Sequence, residues 1–256
     1  MSKPPIILTN DDGIDSHFLF TLAQALKKHF SVTVTAPLGE KSWIGRAFTR
    51  YGSVHVTSYQ DGFGCPSWAL DGTPSDCINI ALSHIAKTPP VAIVSGINVG
   101  FNATLTSILS SGTIAGAIEG ALWGLPAFAF SMQVPKDQFE EIRKAHGKLT
   151  GEAEASLENA AAHAADFVLE TLQKPNTPLL VHNVNYPEHT KPGIEMRKTE
   201  PALIKSTALF QPETQTSYHF AYPKSMEPHS LIGTDLEALE QGFISYTGLD
   251  YGKLGR

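Results

Sequence analysis

Ile6-Ile7-Leu8-Thr9-Asn10-Asp11-Asp12-Gly13-Ile14-Asp15 sets the architecture of this chain. Three apolar residues make a short buried strand, two carboxylates follow at once, and Gly13 permits a sharp turn. Beyond the turn Phe18, Leu19, Leu22, Leu26 and Phe30 recur at helical spacing, with Asp15 or Ser16 available as the cap. Val32-Thr33-Val34-Thr35-Ala36 then forms a second strand, stopped by Pro37. A strand, a helix and a strand of these lengths make a βαβ unit, so the two strands should run parallel with a right-handed crossover. Ligands of an open α/β sheet sit in the crevice beyond the carboxyl ends of its strands, which is where Asp11 and Asp12 fall. Neighbouring carboxylates at such an end are costly unless a cation lies between them. The pair is therefore a candidate for a divalent metal site. A polar turn in which Asp12 caps the helix accounts for one acid but not for two.

Further along the chain, Leu38 to Gly52 is a polar loop, and Val54-His55-Val56-Thr57 suggests a strand in a small lateral sheet. Thr73, Pro74 and Asp76 stand at the cap, first and third positions of a helix that should run to about Ala86. Val91-Ala92-Ile93-Val94-Ser95 is continuously apolar, as suits a central parallel strand. A long loop from Gly96 to Ser111 leads to a small-residue helix through Ala115, Ala117, Gly120 and Ala121, and Ala127 to Met132 is a further strand. Gln133 to Ala153 reads as a polar surface insertion. Ala155 to Leu172 is a helix, Leu179 to Asn185 a strand, Thr234 to Leu239 a short helix and Phe243 to Thr247 a last strand. The expected fold class is α/β, a Rossmann-like three-layer sandwich on a mostly parallel sheet with a C-terminal β-rich arm. It forms one domain over 1–256, with its core at about 5–186 and the extension at about 187–256.

Composition narrows the function. The chain has 256 residues, 42% of them hydrophobic and 17% charged, enough for a sizeable ordered core. A net charge of −6 offers no electrostatic footprint for a nucleic-acid polymer or an anionic membrane. The two cysteines, Cys65 and Cys77, lack metal-type spacing and are too few for a disulfide framework, so a reducing cytoplasm is the expected compartment. Met1 to Pro5 runs into the first strand without a signal-peptide core, and no apolar run has bilayer length.

Three loops leave the carboxyl ends of the expected parallel strands, carrying Asp11-Asp12, Ser42 and Asn98. All four side chains offer oxygen, the donor that Mg²⁺ or Mn²⁺ prefers. Asn10 should hold its own turn by hydrogen bonds. Gly96 and Gly100 let backbone approach a ligand, Asn98 offers its carbonyl oxygen or its amide, and Asn102 braces the loop. Ser111, Gly112 and Thr113 open a helix, whose N-terminus attracts phosphate, although simple capping by Ser111 explains the same residues. Oxygen ligands beside an anion-binding helix end describe metal-assisted phosphoryl hydrolysis, with a carboxylate to take the proton of water.

The ordered set Ile7–Ile14, Asp71–Cys77, Ser95–Gly100, Ser111–Thr113, Gly124–Ala127, Asn183–Pro187, Gly233–Asp235 and Gly242–Ser245 resembles the survival protein SurE family of metal-dependent 5′/3′-nucleotidases. The resemblance implies metal ligation by Asp11, Asp12, Ser42 and Asn98, with Asp11, Asp12 and Asn98 catalytic. It implies a phosphate site at Asn10, Ser111, Gly112 and Thr113, a Mg²⁺ or Mn²⁺ cofactor and nucleoside monophosphate substrates. It also implies a homodimer or homotetramer formed through the C-terminal arm. Departures are the bulky Trp43-Ile44 after Ser42, Ser110 at a position where the family often has tyrosine, and the polar insertion around Pro135–Glu154. Rival functions are a broad acid phosphatase or exopolyphosphatase, and a non-catalytic nucleotide- or metal-binding module. A dinucleotide-dependent oxidoreductase is disfavoured, because Gly-x-Gly-x-x-Gly does not follow the first strand.

Overall fold

The computed structural model describes residues 2–60, 62–205, 207–221 and 228–254. Apolar residues alternate along β1 (Pro5–Thr9) so that Ile6 and Leu8 face one side of the sheet and Ile7 the other. After α1 (His17–Leu26), β2 (Ser31–Pro37) returns parallel to β1, as the βαβ reading requires. β3 (Val56–Ser58) pairs antiparallel with β4 (Ser67–Leu70). It is an edge strand of the main sheet and not part of a separate lateral one.

Helix α2 (Pro74–Ile80) opens with the expected box: Thr73 Oγ1 accepts from Asp76 N (3.1 Å), and Asp76 Oδ2 accepts from Thr73 N (2.9 Å). It continues as a π-helical turn over Ala81–Ile85. β5 (Ala92–Val99) is buried along its whole length and extends four residues past the strand that the apolar run predicts. A short helix α3 (Leu105–Ser110) occupies part of the segment expected to be loop. Next come α4 (Gly112–Leu122), β6 (Ala127–Met132), α5 (Phe139–Lys144), α6 (Gly151–Thr171) and β7 (Leu180–Tyr186). The chain ends with β8 (Met196–Lys198), a hairpin of β9 (Phe210–Pro212) and β10 (Tyr218–Phe220), α7 (Asp235–Glu240) and β11 (Ile244–Asp250).

The main sheet has the order β3-β4-β2-β1-β5-β6-β7-β11-β8. From β4 to β7 every neighbouring pair is parallel, and β11 then runs antiparallel to β7. Side-chain size sorts the two faces. Phe128 and Phe130 of β6 point into the larger core beneath α1 and α6, with Phe18, Leu22, Leu157 and Val168. Ala127 and Ala129 point the other way, against Ile114, Ala117 and Ala121 of α4. A Cβ on Gly116 would stand 2.9 Å from Thr9 Cγ2, so α4 lies against the sheet at a distance only its small residues permit.

The insertion is more than a surface feature. It contains α5, and its Val134 and Ile142 are buried in the larger core, which gives an outwardly polar segment two apolar anchors. In the C-terminal stretch, β8 and β11 extend the main sheet and Ile244 enters its core, while β9 and β10 form a hairpin outside it. Among the described residues no helix is long and apolar enough to cross a membrane.

Candidate active site

From β1 the chain moves outward in one direction to β2 and β4, and from β5 in the other to β6 and β7. The order reverses between β1 and β5, which opens a crevice beyond their carboxyl ends. Asp11 and Asp12 follow β1, and Asn98 lies near the end of β5. A register shift between Ser95 and Asn98 interrupts the β5–β6 pairing, the kind of irregularity that re-aims a side chain. Gly96 makes it possible: its φ is +123°, and a Cβ there would overlap the carbonyl oxygen of Phe130.

The two carboxylates are held differently. Asp11 is buried, and the Thr113 hydroxyl donates to its Oδ1. The N–H groups of Thr113 and of Asp11 itself also stabilise that carboxylate, but burial outweighs them and lifts its pKa from 3.8 to about 6. Asp12 accepts from Val99 N (2.9 Å), across from β1 to β5. Burial first, and then the Asp11 charge, push it well above the usual carboxylate range. Among the described residues no basic side chain acts on either acid, whereas Glu40 raises both.

Each remaining predicted residue has a distinct place. Asn10 donates from Nδ2 to Gly13 O (2.9 Å), as a brace of the turn, and its buried Oδ1 has no partner among the described residues. Asn98 donates Nδ2 to Gly100 O (2.7 Å), so what it offers a ligand is its carbonyl oxygen. Ser42 donates its hydroxyl to Glu40 Oε1 (2.8 Å). Its loop is tied to the first acid by Lys41 N donating to Asp11 O (2.7 Å), and to α3 by Gly45 N donating to Ser110 O (2.8 Å). Ser111 is the cap of α4, with Oγ accepting from Ile114 N (3.0 Å), which is the capping reading. A Cβ on Gly112 would stand 2.7 Å from Asp11 Cβ and 2.9 Å from Lys41 O, so glycine alone lets the start of α4 approach the acids. Asn102 is a brace: its backbone N–H donates to Asn185 Oδ1 (2.7 Å), and its Nδ2 donates to Ser131 Oγ (2.9 Å).

Four more side chains shape the crevice. Glu40, Arg143, Lys144 and His146 line the part of it that Asp12 and Val99 face, a cavity whose lining does not include Asp11, Ser42, Asn98 or Ser111–Thr113. Glu40 stands two residues before Ser42 and could have been found by that proximity. Arg143, Lys144 and His146 reach the crevice only because α5 folds back over it, which no local signal in the chain reveals.

The donors suit a hard cation. Two carboxylates, an amide oxygen and a hydroxyl oxygen come from the loop after β1, the end of β5 and the loop after β2, which hydrogen bonds join, and no cationic side chain among the described residues offsets the acids. Among those residues no three His, Cys, Asp or Glu side chains converge on one point, so a cation here would draw on the neutral oxygens as well.

Comparison with known proteins gives the family and the fold. The family described as Survival protein SurE matches residues 6–209. A protein named 5′-nucleotidase SurE from Chlorobaculum tepidum is 37% identical over 249 residues, covering 96% of this chain and 88% of that protein. One of the same name from Methanoregula boonei is 31% identical over 248 residues, covering 96% and 92%. The crystal structure of the SurE protein from Aquifex aeolicus matches with a TM-score of 0.69 at 27% identity, over 96% of this chain and 93% of that one.

Proposed function

The chain belongs to the survival protein SurE family, and on that footing we propose that it is a divalent-metal-dependent phosphomonoesterase that hydrolyses nucleoside monophosphates to nucleoside and phosphate. The observation that carries the metal dependence is the pair Asp11 and Asp12 at the switch point of the sheet, two neighbouring acids without a cationic partner among the described residues. Its 5′-nucleotidase relatives agree with the substrate class.

Asp11, Asp12, Asn98 and Ser42 would hold Mg²⁺ or Mn²⁺, each through an oxygen. The cation supplies Lewis acidity, neutralising charge on the phosphoryl oxygens and making a water easier to deprotonate. The start of α4 gives the phosphate a positive helix end, with Asn10, Ser111, Gly112 and Thr113 around it. One carboxylate of the pair would take the proton of the attacking water. Asn10 and Thr113 act before the chemistry, fixing the acidic turn and the orientation of Asp11.

Assembly into a homodimer or homotetramer through the C-terminal arm is part of the same reading. The β9–β10 hairpin packs Phe220 against Trp43, 5.0 Å between ring centroids, and leaves Phe210 and Tyr218 about 60% exposed, an apolar face that a second copy of the chain would cover. Light scattering on the full chain should give a mass of two or four protomers, and a monomer would remove this part.

The function is tested by phosphate release from AMP, GMP, CMP, 3′-AMP and p-nitrophenyl phosphate, with Mg²⁺, with Mn²⁺ and after exhaustive chelation. Hydrolysis of the nucleotides that disappears on chelation and returns with metal is expected. Full activity in the chelated protein would discard the metal; equal turnover of every ester would favour a general phosphatase.

A further inference from the structure

The hydroxyl of Ser42 is the weakest donor in the proposed shell. It is neutral, it rotates freely, and it can turn either its proton or a lone pair toward the site. Its backbone is fixed on both sides, by Lys41 N on Asp11 O and by Gly45 N on Ser110 O, but those bonds do not choose the rotor. Glu40 does. Glu40 Oε1 accepts the Ser42 proton at 2.8 Å, which leaves the oxygen lone pairs of Ser42 as its remaining capacity.

Glu40 is itself held. Its Oε2 accepts from Arg143 Nη1 at 2.6 Å, and the same guanidinium reaches Glu140 Oε2 with Nε (3.2 Å) and Nη2 (2.9 Å). Arg143 belongs to α5, in the polar insertion, and that segment is anchored around the crevice. Ile142 is in the core, the Phe139 ring lies 3.3 Å from where a Cβ of Gly100 would stand, and His146 O accepts from His17 N (2.8 Å). The insertion thereby touches the start of α1, the loop after β5 and, through Arg143, the loop after β2. Glu40 is close enough to Asp11 and Asp12 to act on both electrostatically, yet no third acidic ligand converges with them among the described residues. Its place is behind the ligands.

We infer that Glu40, braced by Arg143, is a positioning residue that takes the Ser42 proton and so presents the Ser42 oxygen to the cation as an acceptor. The inference rests on the metal reading of the preceding section. It also gives the insertion a part in the site, since a basic residue from outside the strand-end loops sets the geometry of one of their ligands.

Equilibrium titration of Mn²⁺ into the full-length, metal-free protein tests it without reference to turnover. Ser42→Ala and Glu40→Ala should each weaken Mn²⁺ roughly tenfold, the scale on which groups supporting a metal ligand act. The double variant should be weaker than Ser42→Ala alone by clearly less than Glu40→Ala is weaker than wild type, because the part of Glu40 that acts through Ser42 has nothing left to act on. Arg143→Ala should weaken binding, Arg143→Lys should restore part of it, and Glu140→Ala, which removes the other partner of Arg143, should leave it unchanged. Unfolding curves of the metal-free variants confirm that each is folded. An equal loss from Glu40→Ala in the presence and absence of Ser42 would mean that Glu40 acts by charge alone and overturns the inference. So would unaltered or tighter binding by Glu40→Ala, or wild-type binding by Ser42→Ala. A wild-type protein that binds no Mn²⁺ takes down the metal reading itself, whereas normal wild-type binding with an indifferent Glu40→Ala takes down only the positioning role.

Discussion

Asp11 and Asp12 hold the sharpest consequences at the scale of single residues. Both carry raised pKa values because burial disfavours their charge, and Asp11 adds to the burden on Asp12. Replacing Asp12 by Asn removes one of two neighbouring charges and keeps the shape. The variant should lose nucleotidase activity by a factor on the order of 100 or more, since an interaction with the transition state is lost. Its metal-free melting temperature should stay level or rise, and the upward shift that Mn²⁺ gives the wild type should shrink. Near-normal turnover would remove Asp12 from the site. The pH dependence follows from Asp11. Its pKa of about 6 in the folded chain exceeds the ordinary 3.8, so the folded state keeps a proton that the unfolded state releases. From this group, stability is fully present below about pH 4 and lost as pH rises through about 6. A cation must displace that proton, so Mn²⁺ affinity should fall as pH drops from about 7.5 to about 5.5. A flat titration series over that range would contradict the assignment.

At the level of elements, the contact between α4 and the sheet sets where the helix end and the acids meet. A Cβ on Gly120 would stand 2.5 Å from Ile93 Cβ, near the start of the strand that carries Asn98. Gly120→Ala improves helix propensity by up to about 1 kcal/mol, but overpacking costs about 1–3 kcal/mol. The clash should win: chemical denaturation should show net destabilisation, and a stabilised variant would mean that α4 sits farther from β5. The loop after β2 is tethered by a second carboxylate. Asp76 accepts from Thr49 Oγ1 (2.7 Å) and from Thr49 N (3.2 Å) while also closing the box at the start of α2. Asp76→Ala should therefore cost more than the roughly 1 kcal/mol of a lost cap, and limited proteolysis should cut the 42–52 segment faster than in the wild type. Equal cutting rates would show that the loop is held by other contacts.

Across the molecule as a whole, acid sensitivity has a different source from the site. His182 on β7 lies between the sheet and α6, stacks on Phe128 (5.0 Å between centroids) and shares a hydrogen bond with Tyr246 (2.9 Å). Burial, and secondarily Lys174, lowers its pKa to about 4. Its ordinary value is 6.5, so the unfolded chain binds the proton first and stability falls as pH drops from about 6.5 to 4. This trend opposes that of Asp11 over the same interval. Replacing His182 by Gln should flatten the decline of melting temperature as pH falls from about 6.5 to about 4.5, and an unchanged slope would assign the decline elsewhere.

The βαβ start, the parallel centre of the sheet, the capping box of α2 and the oxygen-rich composition of the three strand-end loops are all written in the order of residues. Each rests on periodicity or on contacts within a few positions, which a linear chain records. The length of β5 is not written there, because its last residues are held by pairing with β6 around a bulge at a glycine. Neither is the joining of β11 to β7 in the main sheet, nor the folding of α5 that turns a polar insertion into a wall of the crevice. Ser42 meeting Glu40 is local, but Glu40 meeting Arg143 spans 103 residues. Such pairs are settled in three dimensions alone, because the packing of distant apolar residues such as Ile142 determines which polar groups face one another.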